Sequence, residues 1–449
     1  MLGSATDRDT GRVAERSREA SRAAATRLAH LVPGGAHTYA RGEDQYPEGM
    51  APVIVRGRGS RVEDVDGWSY IEYGSGLRSI TLGHAHPGVV DAAVRAVRDG
   101  TGFVRPSILE LEAAESLLSL LPSADMVKFT KNGSDATSAA VRLARAVTGR
   151  DVVAVCGDQP FFSTDDWFIG STLMNAGIPA AVRELTVTFP FDDSDALAEV
   201  LDRHVDRIAC IVLEAAGATE PSPGYLQAVR RLCDERGVLL VLDEMITGFR
   251  WANGGAQEVY AVEPDLSTFG KALGNGFAVS ALAGKRRYME RGGYDHGEDR
   301  VFLLSTTHGA ETSGLAAVKA VVGAYRDSPV VETMYGQGRR LRRGVLAAAA
   351  AADVADHVQV LGRDCNLVYA TLDAEGQRSQ PFRTLFLQEL LRRGVLAPSF
   401  VVGAAHSDVD IDHTVEAVHE ACLVYRKALD EGIERYLVGR PVRPVFRSR

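Results

Sequence analysis

Through the middle of the chain, short apolar runs alternate with longer stretches whose hydrophobic residues recur every three or four positions. The runs IACIVLE (208–214) and GVLLVLDE (237–244) are almost uninterrupted, as in strands buried on both faces of a parallel sheet. Met126–Thr130 and Val152–Cys156 are further short β runs, and Asp265–Gly270 reads as a strand and turn. Helical patterns cover Ser134–Thr148 and Gly224–Arg236. Alternating strand and helix implies βαβ units and an α/β sheet.

The flanks read differently. An amphipathic helix within residues 11–30 precedes a Gly/Pro-rich segment, Pro33–Pro52. Short strands are expected at Pro52–Arg56, Arg61–Val65 and Ser69–Glu72, the last two joined by an Asp66-Gly67 turn. The C-terminal part is helical from about Gln337 through the alanine tract 347–352. Strands Val358–Leu361 and Leu367–Thr371, helix Phe382–Arg393, strand Val395–Ala397 and helix Asp408–Leu429 follow, with Ser407 or Asp408 as the last helix's cap. A single core stops growing at about 250–300 residues, so 449 residues imply more than one domain. The expected division is an N-terminal segment 1–75, a large domain 76–323 and a small domain 324–449, the first packing with the last.

Composition narrows the function classes. With 45% hydrophobic and 24% charged residues the chain reads as an ordinary globular protein. A net charge of -9 argues against nucleic acid and anionic membrane as partners, since both favour a basic face. Five widely spaced cysteines without a CxxC point to a reducing cytoplasm. No apolar run approaches the ~18 residues that cross a bilayer, and no secretory h-region is present. Glu15 and Glu19 speak against a transit peptide.

Ligands of open α/β sheets bind beyond the carboxyl ends of the strands, and five features fall there. Asp243 ends VLLVLD, where a buried carboxylate needs a partner: an ion pair, a helix cap or a protonated ring nitrogen. Lys271, in FGKALGNG, has small and apolar surroundings that suit an amine of depressed pKa able to form a Schiff base; a solvated loop lysine is the structural alternative. Asn132-Gly133-Ser134-Asp135 opens a helix, either as a phosphate cradle or as an ordinary N-cap. Glu214 ends IACIVLE as a second buried-end carboxylate, and Thr306-Thr307 offer hydroxyls in a loop. His84 and His86 have the spacing of a metal pair but no third ligand nearby, so no metal is expected. Neither a Gly-x-Ser-x-Gly elbow nor a P-loop occurs.

In these residues and their order the chain resembles class III aminotransferases, in the branch of glutamate-1-semialdehyde 2,1-aminomutase. The likeness runs from Pro33 to about Leu429 through PGG (33–35), DVDGWSYIEY (64–73), LGHAHP (82–87), KNGSDAT (131–137), LDEMITGFR (242–250), STFGKALGNG (267–276) and STTHGAETSGLAA (305–317). The resemblance implies a pyridoxal 5'-phosphate (PLP) enzyme of fold type I, with a mostly parallel central sheet and a smaller α+β domain from both chain ends. It implies that Lys271 holds the cofactor as an imine and shuttles the proton, and that Asp243 pairs with the pyridine nitrogen. It further implies that Asn132, Gly133 and Ser134 receive the phosphate, that Met245 lies against the ring, and that Glu214 sits near the cofactor. Thr307 would reach the phosphate across a homodimer interface with shared active sites.

The departures bear on substrate. Where the family has Tyr-His-Gly after the strand VVAVC, this chain has Gln159-Pro160-Phe161-Phe162-Ser163, leaving Phe161 or Phe162 as the ring. Tyr39 and Arg41 follow PGG, where Arg41 is a carboxylate clamp or a surface arginine, and His308 and Glu311 are further substrate-facing candidates. The reading is an aminotransferase that moves an amine from a donor amino acid to an aldehyde or ketone. The alternatives are an aminomutase acting within one molecule and, more distantly, a non-catalytic PLP-fold binding protein.

Overall fold

The computed structural model describes residues 17–159, 161–294 and 296–447. Pro160 and the first part of the expected N-terminal helix, residues 11–16, lie outside the described residues. The chain forms two compact units. One holds the described residues up to Ser75 together with Gly83–Ala85 and Thr333–Val445; the other holds Gly76–Leu82 and His86–Glu332.

In the first unit a helix spans Glu19–Leu31, and strands Ile54–Arg58, Arg61–Asp64 and Ser69–Glu72 form an antiparallel sheet. The Asp66-Gly67 turn joins the last two as expected. Gly67 takes a left-handed φ of 82°, and the Asp64 carboxylate accepts the N–H groups of Asp66 and Trp68. Val395–Leu396 adds to this sheet parallel to Ser69–Glu72. Strands Val358–Leu361 and Val368–Thr371 pair antiparallel apart from it. Helices Gln380–Arg392 and Asp408–Glu431 pack together, and Ser407 caps the second through a reciprocal capping box with Asp410. Its core includes Met50, Val62, Tyr70, Leu387 and Leu391.

The second unit carries a seven-stranded sheet. Its strands are β1 (Met126–Thr130), β2 (Val152–Cys156), β3 (Thr186–Phe189), β4 (Ile208–Leu213), β5 (Leu239–Asp243), β6 (Leu266–Phe269) and β7 (Ser280–Gly284). Their order across the sheet is β1-β7-β6-β5-β4-β2-β3. Only β7 runs against its neighbours, so six strands point one way. Every residue of β2, β4, β5 and β6 is buried, which is why β2, β4 and β5 read as apolar runs; β6, Leu-Ser-Thr-Phe, buries two hydroxyls as well. Helix Gly133–Thr148 packs its alanine-rich face on the sheet.

Two strands were not anticipated. β7 is Ser-Ala-Leu-Ala-Gly, without the β-branched residues that mark strands, and it is held by pairing on both edges. β3, Thr-Val-Thr-Phe, does alternate, but is short and lies at the sheet edge. The long helix of the C-terminal part begins at Val330, earlier than Gln337. All five cysteines are buried and unbridged: Cys156, Cys210 and Cys233 in the second unit, Cys365 and Cys422 in the first. Among the described residues no helix is long and apolar enough to cross a membrane.

Helix Val330–Ala351 contains two glycines in opposite settings. A Cβ at Gly338 would lie 1.8 Å from the Asp364 carbonyl oxygen, whereas one at Gly336 would meet nothing within 4 Å. Gly336→Ala should therefore stabilise the protein by about 0.5–1 kcal/mol through helix propensity. Gly338→Ala should destabilise it by roughly 1–3 kcal/mol by overpacking. Thermal unfolding of the two variants beside the parent checks the opposite signs.

Candidate active site

Four of the co-directional strands bring their carboxyl ends to one edge of the sheet, and each delivers a polar group there. β5 ends on Asp243, β4 runs into Glu214, β6 runs through Gly270 into Lys271, and β1 runs into Asn132-Gly133-Ser134. All belong to the second unit.

Lys271 opens a one-turn 3-10 helix, Lys271–Gly274, with a φ of 45°, a left-handed backbone that lysine adopts at a cost of about 1–3 kcal/mol. Gly270 is required beside it. A Cβ there would lie 2.5 Å from Ser280 Oγ and 2.6 Å from Met245 Sδ. At the end of the turn Asn275, also left-handed, accepts the Leu82 N–H at 2.9 Å. The lysine is thus set by a strained, fully packed turn rather than by a free loop.

Electrostatics bind the site together. Burial lowers the Lys271 amine below its ordinary pKa, and Asp243 and Glu214 only partly restore it. Asp243, 2% exposed, is pushed by burial up to about 6 against the pull of Lys271, the Met245 N–H and Thr268. The Met245 N–H donates to Asp243 Oδ1 at 2.9 Å, fixing the carboxylate where its strand ends. Glu214 is driven up to about 8 by burial and by Asp243, with Lys271 and Arg78 opposing. The neighbouring Glu244 has a different role. Its carboxylate accepts the Thr247 hydroxyl and the N–H groups of Ala256 and Gln257, tying the following loop down, and burial raises it to about 7.

The expected phosphate cradle, Asn132-Gly133-Ser134, lies at the start of helix Gly133–Thr148. Asn132 is its N-cap and accepts the Asp135 N–H at 3.0 Å, so the expected capping role is real and falls to Asn132. The first N–H groups of a helix have no partner within it and favour an anion. A Cβ at Gly133 would lie 3.0 Å from Met245 Sδ, so this cradle and the Lys271 turn both press on the same methionine. The Ser134 hydroxyl accepts the Thr164 N–H at 2.9 Å.

The two phenylalanines separate. Phe162 is 2% exposed and packs with Trp167, Phe168 and Met245 in the core, whereas Phe161 is 44% exposed with its ring edge-on to Phe168. Thr307 and His308 lie exposed in a turn. Glu311 already serves structure: it caps helix Thr312–Asp327 and pairs with Lys131 at 2.8 Å. Burial works against its ionisation, but Lys131 and Ser313 hold its carboxyl down to about 2. Tyr39 and Arg41 form an exposed 3-10 turn in the first unit. His84 meets Glu72 at 3.2 Å, also in the first unit.

Sequence reasoning missed two residues. Gln159 pairs its side-chain amide with the Glu214 main chain, donating to the carbonyl at 2.6 Å and accepting from the N–H at 2.7 Å, as a strand neighbour would. Arg78 is an electrostatic neighbour of both Glu214 and Lys271. A lone cation in the otherwise small and apolar stretch before LGHAHP was the available signal for it.

Residues 39–402 match the model of the aminotransferase class-III family. The glutamate-1-semialdehyde 2,1-aminomutase of Methanothermobacter thermautotrophicus is 36% identical over 420 residues, covering 88% of this chain and 96% of that protein. The protein of the same name from Desulfatibacillum aliphaticivorans is 32% identical over 428 residues, covering 90% and 99%. Among solved structures, a transaminase with PLP bound superposes with a TM-score of 0.83 at 26% identity, over 93% of this chain and 100% of that one. The FumI protein of Sphingopyxis sp. MTA144, solved in a PLP form, gives 0.84 at 25% identity, over 91% and 97%.

The raised carboxyl of Glu214 carries a signed consequence. Its pKa is higher in the folded than in the unfolded chain, so the folded state binds more protons, and stability falls as pH rises from the usual carboxyl range towards about 8. Glu214→Gln removes that loss. The Tm of the cofactor-free variant should exceed the parent's by a margin that widens between about pH 5 and pH 9; a margin that stays constant with pH would contradict the assignment.

Proposed function

Because this chain belongs to the class-III aminotransferase family, we propose that it moves an amino group from a donor amino acid to an aldehyde or ketone acceptor, with Lys271 as the reactive amine. Its fold is the type I fold of PLP-dependent transferases, and enzymes of this family use PLP. The observation that carries the reading is the partly buried Lys271 beside the buried Asp243 at adjacent strand ends, with the amine's pKa lowered and the carboxyl's raised.

The residues present fit that cofactor. A protonated pyridine nitrogen suits a buried carboxylate, a phosphate suits the helix start at Gly133-Ser134, and an aldehyde suits an amine depleted of its proton. When bound, PLP supplies an aromatic electron sink for the electron pair left at the substrate's α-carbon. Asp243 would hold the proton on the ring nitrogen through its carboxylate. The Gly133 and Ser134 amides would anchor the phosphate, with Asn132 fixing the helix start. Met245 would bound one side of the ring, and Phe161 is the ring available to the other. Lys271 Nζ would attach the cofactor and, once freed by the incoming amine, would take the substrate's α-proton and deliver it across the nitrogen, two atoms away, to the carbon that carried the cofactor's aldehyde. Glu214, held by Gln159, would keep a neutral carboxyl beside that proton path at pH 7.

The exposed residues Phe103, Val104 and Ile108 form an apolar surface, Val104 being 102% exposed, which supports a homodimer through this face. In that dimer Thr307 would reach the partner's phosphate. We assign the protein to the cytoplasm on its buried, unbridged cysteines. A second reading, favoured by the names of the curated relatives, is an intramolecular transfer within one amino-aldehyde.

Visible spectroscopy of the PLP-loaded protein tests the reaction. The parent should show a lysine-linked cofactor band that Lys271→Ala lacks, and a single donor amino acid should bleach it. Multiple-turnover activity should fall at least ~1000-fold in Lys271→Ala. A lysine-dependent band that no donor alters would favour the intramolecular reading; no lysine-dependent band would overturn both. Light scattering should give twice the 48.2 kDa chain mass, and Ile108→Asp should shift it towards the monomer.

A further inference from the structure

The segment Phe161–Asp165 is docked on the first two turns of helix Gly133–Thr148, and both lie in the second unit. Three hydroxyls on the helix hold it. Ser134, in the cradle, accepts the Thr164 N–H at 2.9 Å. Thr137 donates to the Phe162 carbonyl at 2.8 Å. Ser138 serves three partners at once, Asp165, Ser163 and Trp167.

Hydrogen-bonding capacity assigns a direction to each bond at Ser138. A carboxylate only accepts, so the one proton of the Ser138 hydroxyl goes to Asp165. Its two lone pairs are left for the Trp167 indole N–H at 2.8 Å and the Ser163 hydroxyl at 3.1 Å. The Ser163 oxygen in turn accepts the Asp165 N–H at 3.1 Å. Ser163 and Trp167 are both buried, so neither has water to turn to if the Ser138 oxygen is removed.

These bonds reach the exposed ring in two steps. Asp165 is the N-cap of the short helix Asp166–Ile169, and Trp167 lies within it, so Ser138 grips that helix at its start. The next residue, Phe168, is buried and meets three rings: Phe161 at 5.8 Å between centroids, Phe162 at 5.5 Å and Trp167 at 5.9 Å. The Phe161 contact is edge-on, and such a contact fixes the tilt of a ring as well as its place. Phe161 is thereby set next to the residue whose carbonyl is bonded to the cofactor helix.

We propose that Ser138 is a positioning residue that sets the Phe161 ring for the cofactor, acting through Asp165, Trp167 and Phe168. This rests on the PLP reading and on Phe161 as the ring that bounds the cofactor. The structural alternative is a Ser138 that only stabilises the fold.

The test uses Ser138→Ala, which keeps a good helix former at that position. In the cofactor-free protein, hydrogen exchange of the Thr164 and Asp165 amides should quicken at least ~fivefold. In the PLP-loaded protein the visible circular dichroism of the cofactor band should fall, and the apparent PLP dissociation constant should rise at least ~fivefold, about one hydrogen bond's worth of positioning. In a Phe161→Leu background the same substitution should leave the circular dichroism unchanged, because the ring it positions is gone. A Ser138→Ala variant with a lower Tm but the parent's circular dichroism and PLP affinity would overturn the proposal, and so would the parent's exchange rates or an undiminished dichroism effect without Phe161. Failure of the PLP reading would appear separately, as a parent without a Lys271-dependent band, and exchange in the cofactor-free protein would still decide whether Ser138 holds the loop.

Discussion

Everything at the sheet's carboxyl edge follows from packing one amine beside two buried carboxyls. In water Lys271, Asp243 and Glu214 would all be charged. Packed at strand ends, each is displaced towards its neutral form, and each partly rescues its neighbour. An arrangement with one cation fewer would leave an uncompensated buried carboxylate; one with a carboxyl fewer would leave the amine still more depleted of protons. The surrounding structure is organised to sustain this balance. The Met245 N–H orients Asp243, Gln159 fixes the main chain at Glu214, and Gly270 lets Met245 and Ser280 close on the lysine's turn.

The sheet topology explains why these groups converge. β5 and β6 are adjacent and parallel, so Asp243 and the start of the Lys271 turn lie at neighbouring positions although they are far apart in sequence. The antiparallel β7 is a spacer: it inserts between β6 and β1 while leaving β1 pointing the same way as the rest. That orientation puts the start of helix Gly133–Thr148 at the same edge, where Gly133 presses on Met245. Small side chains in β7 suit this role, since they permit close packing of the helix behind it.

Much of this was legible in the chain itself. The fully buried strands announced themselves as apolar runs, and their terminal Asp243 and Glu214 stood out as charges where charge is costly. Lys271 was legible through its small neighbours. What could not be read were features created by tertiary contact. β7 has no intrinsic strand preference, and only its two neighbours define it. Gln159 looked like a polar loop residue because its partner is a backbone 55 positions away. Glu311 looked like a free carboxylate because neither its helix cap nor Lys131 is visible as a pattern. Arg78 was overlooked because a single arginine before a turn carries no periodic signal; its meaning lies in a left-handed backbone that sequence does not report.

The buried cysteines carry a practical consequence. Burial pushes the thiols of Cys156, Cys210 and Cys422 up to about 12, and none of the five thiols meets solvent while the fold is closed. Alkylation by a thiol reagent therefore requires opening. Because three thiols belong to one unit and two to the other, peptide mapping of the alkylated protein would clock the opening of each unit independently, without any engineered label.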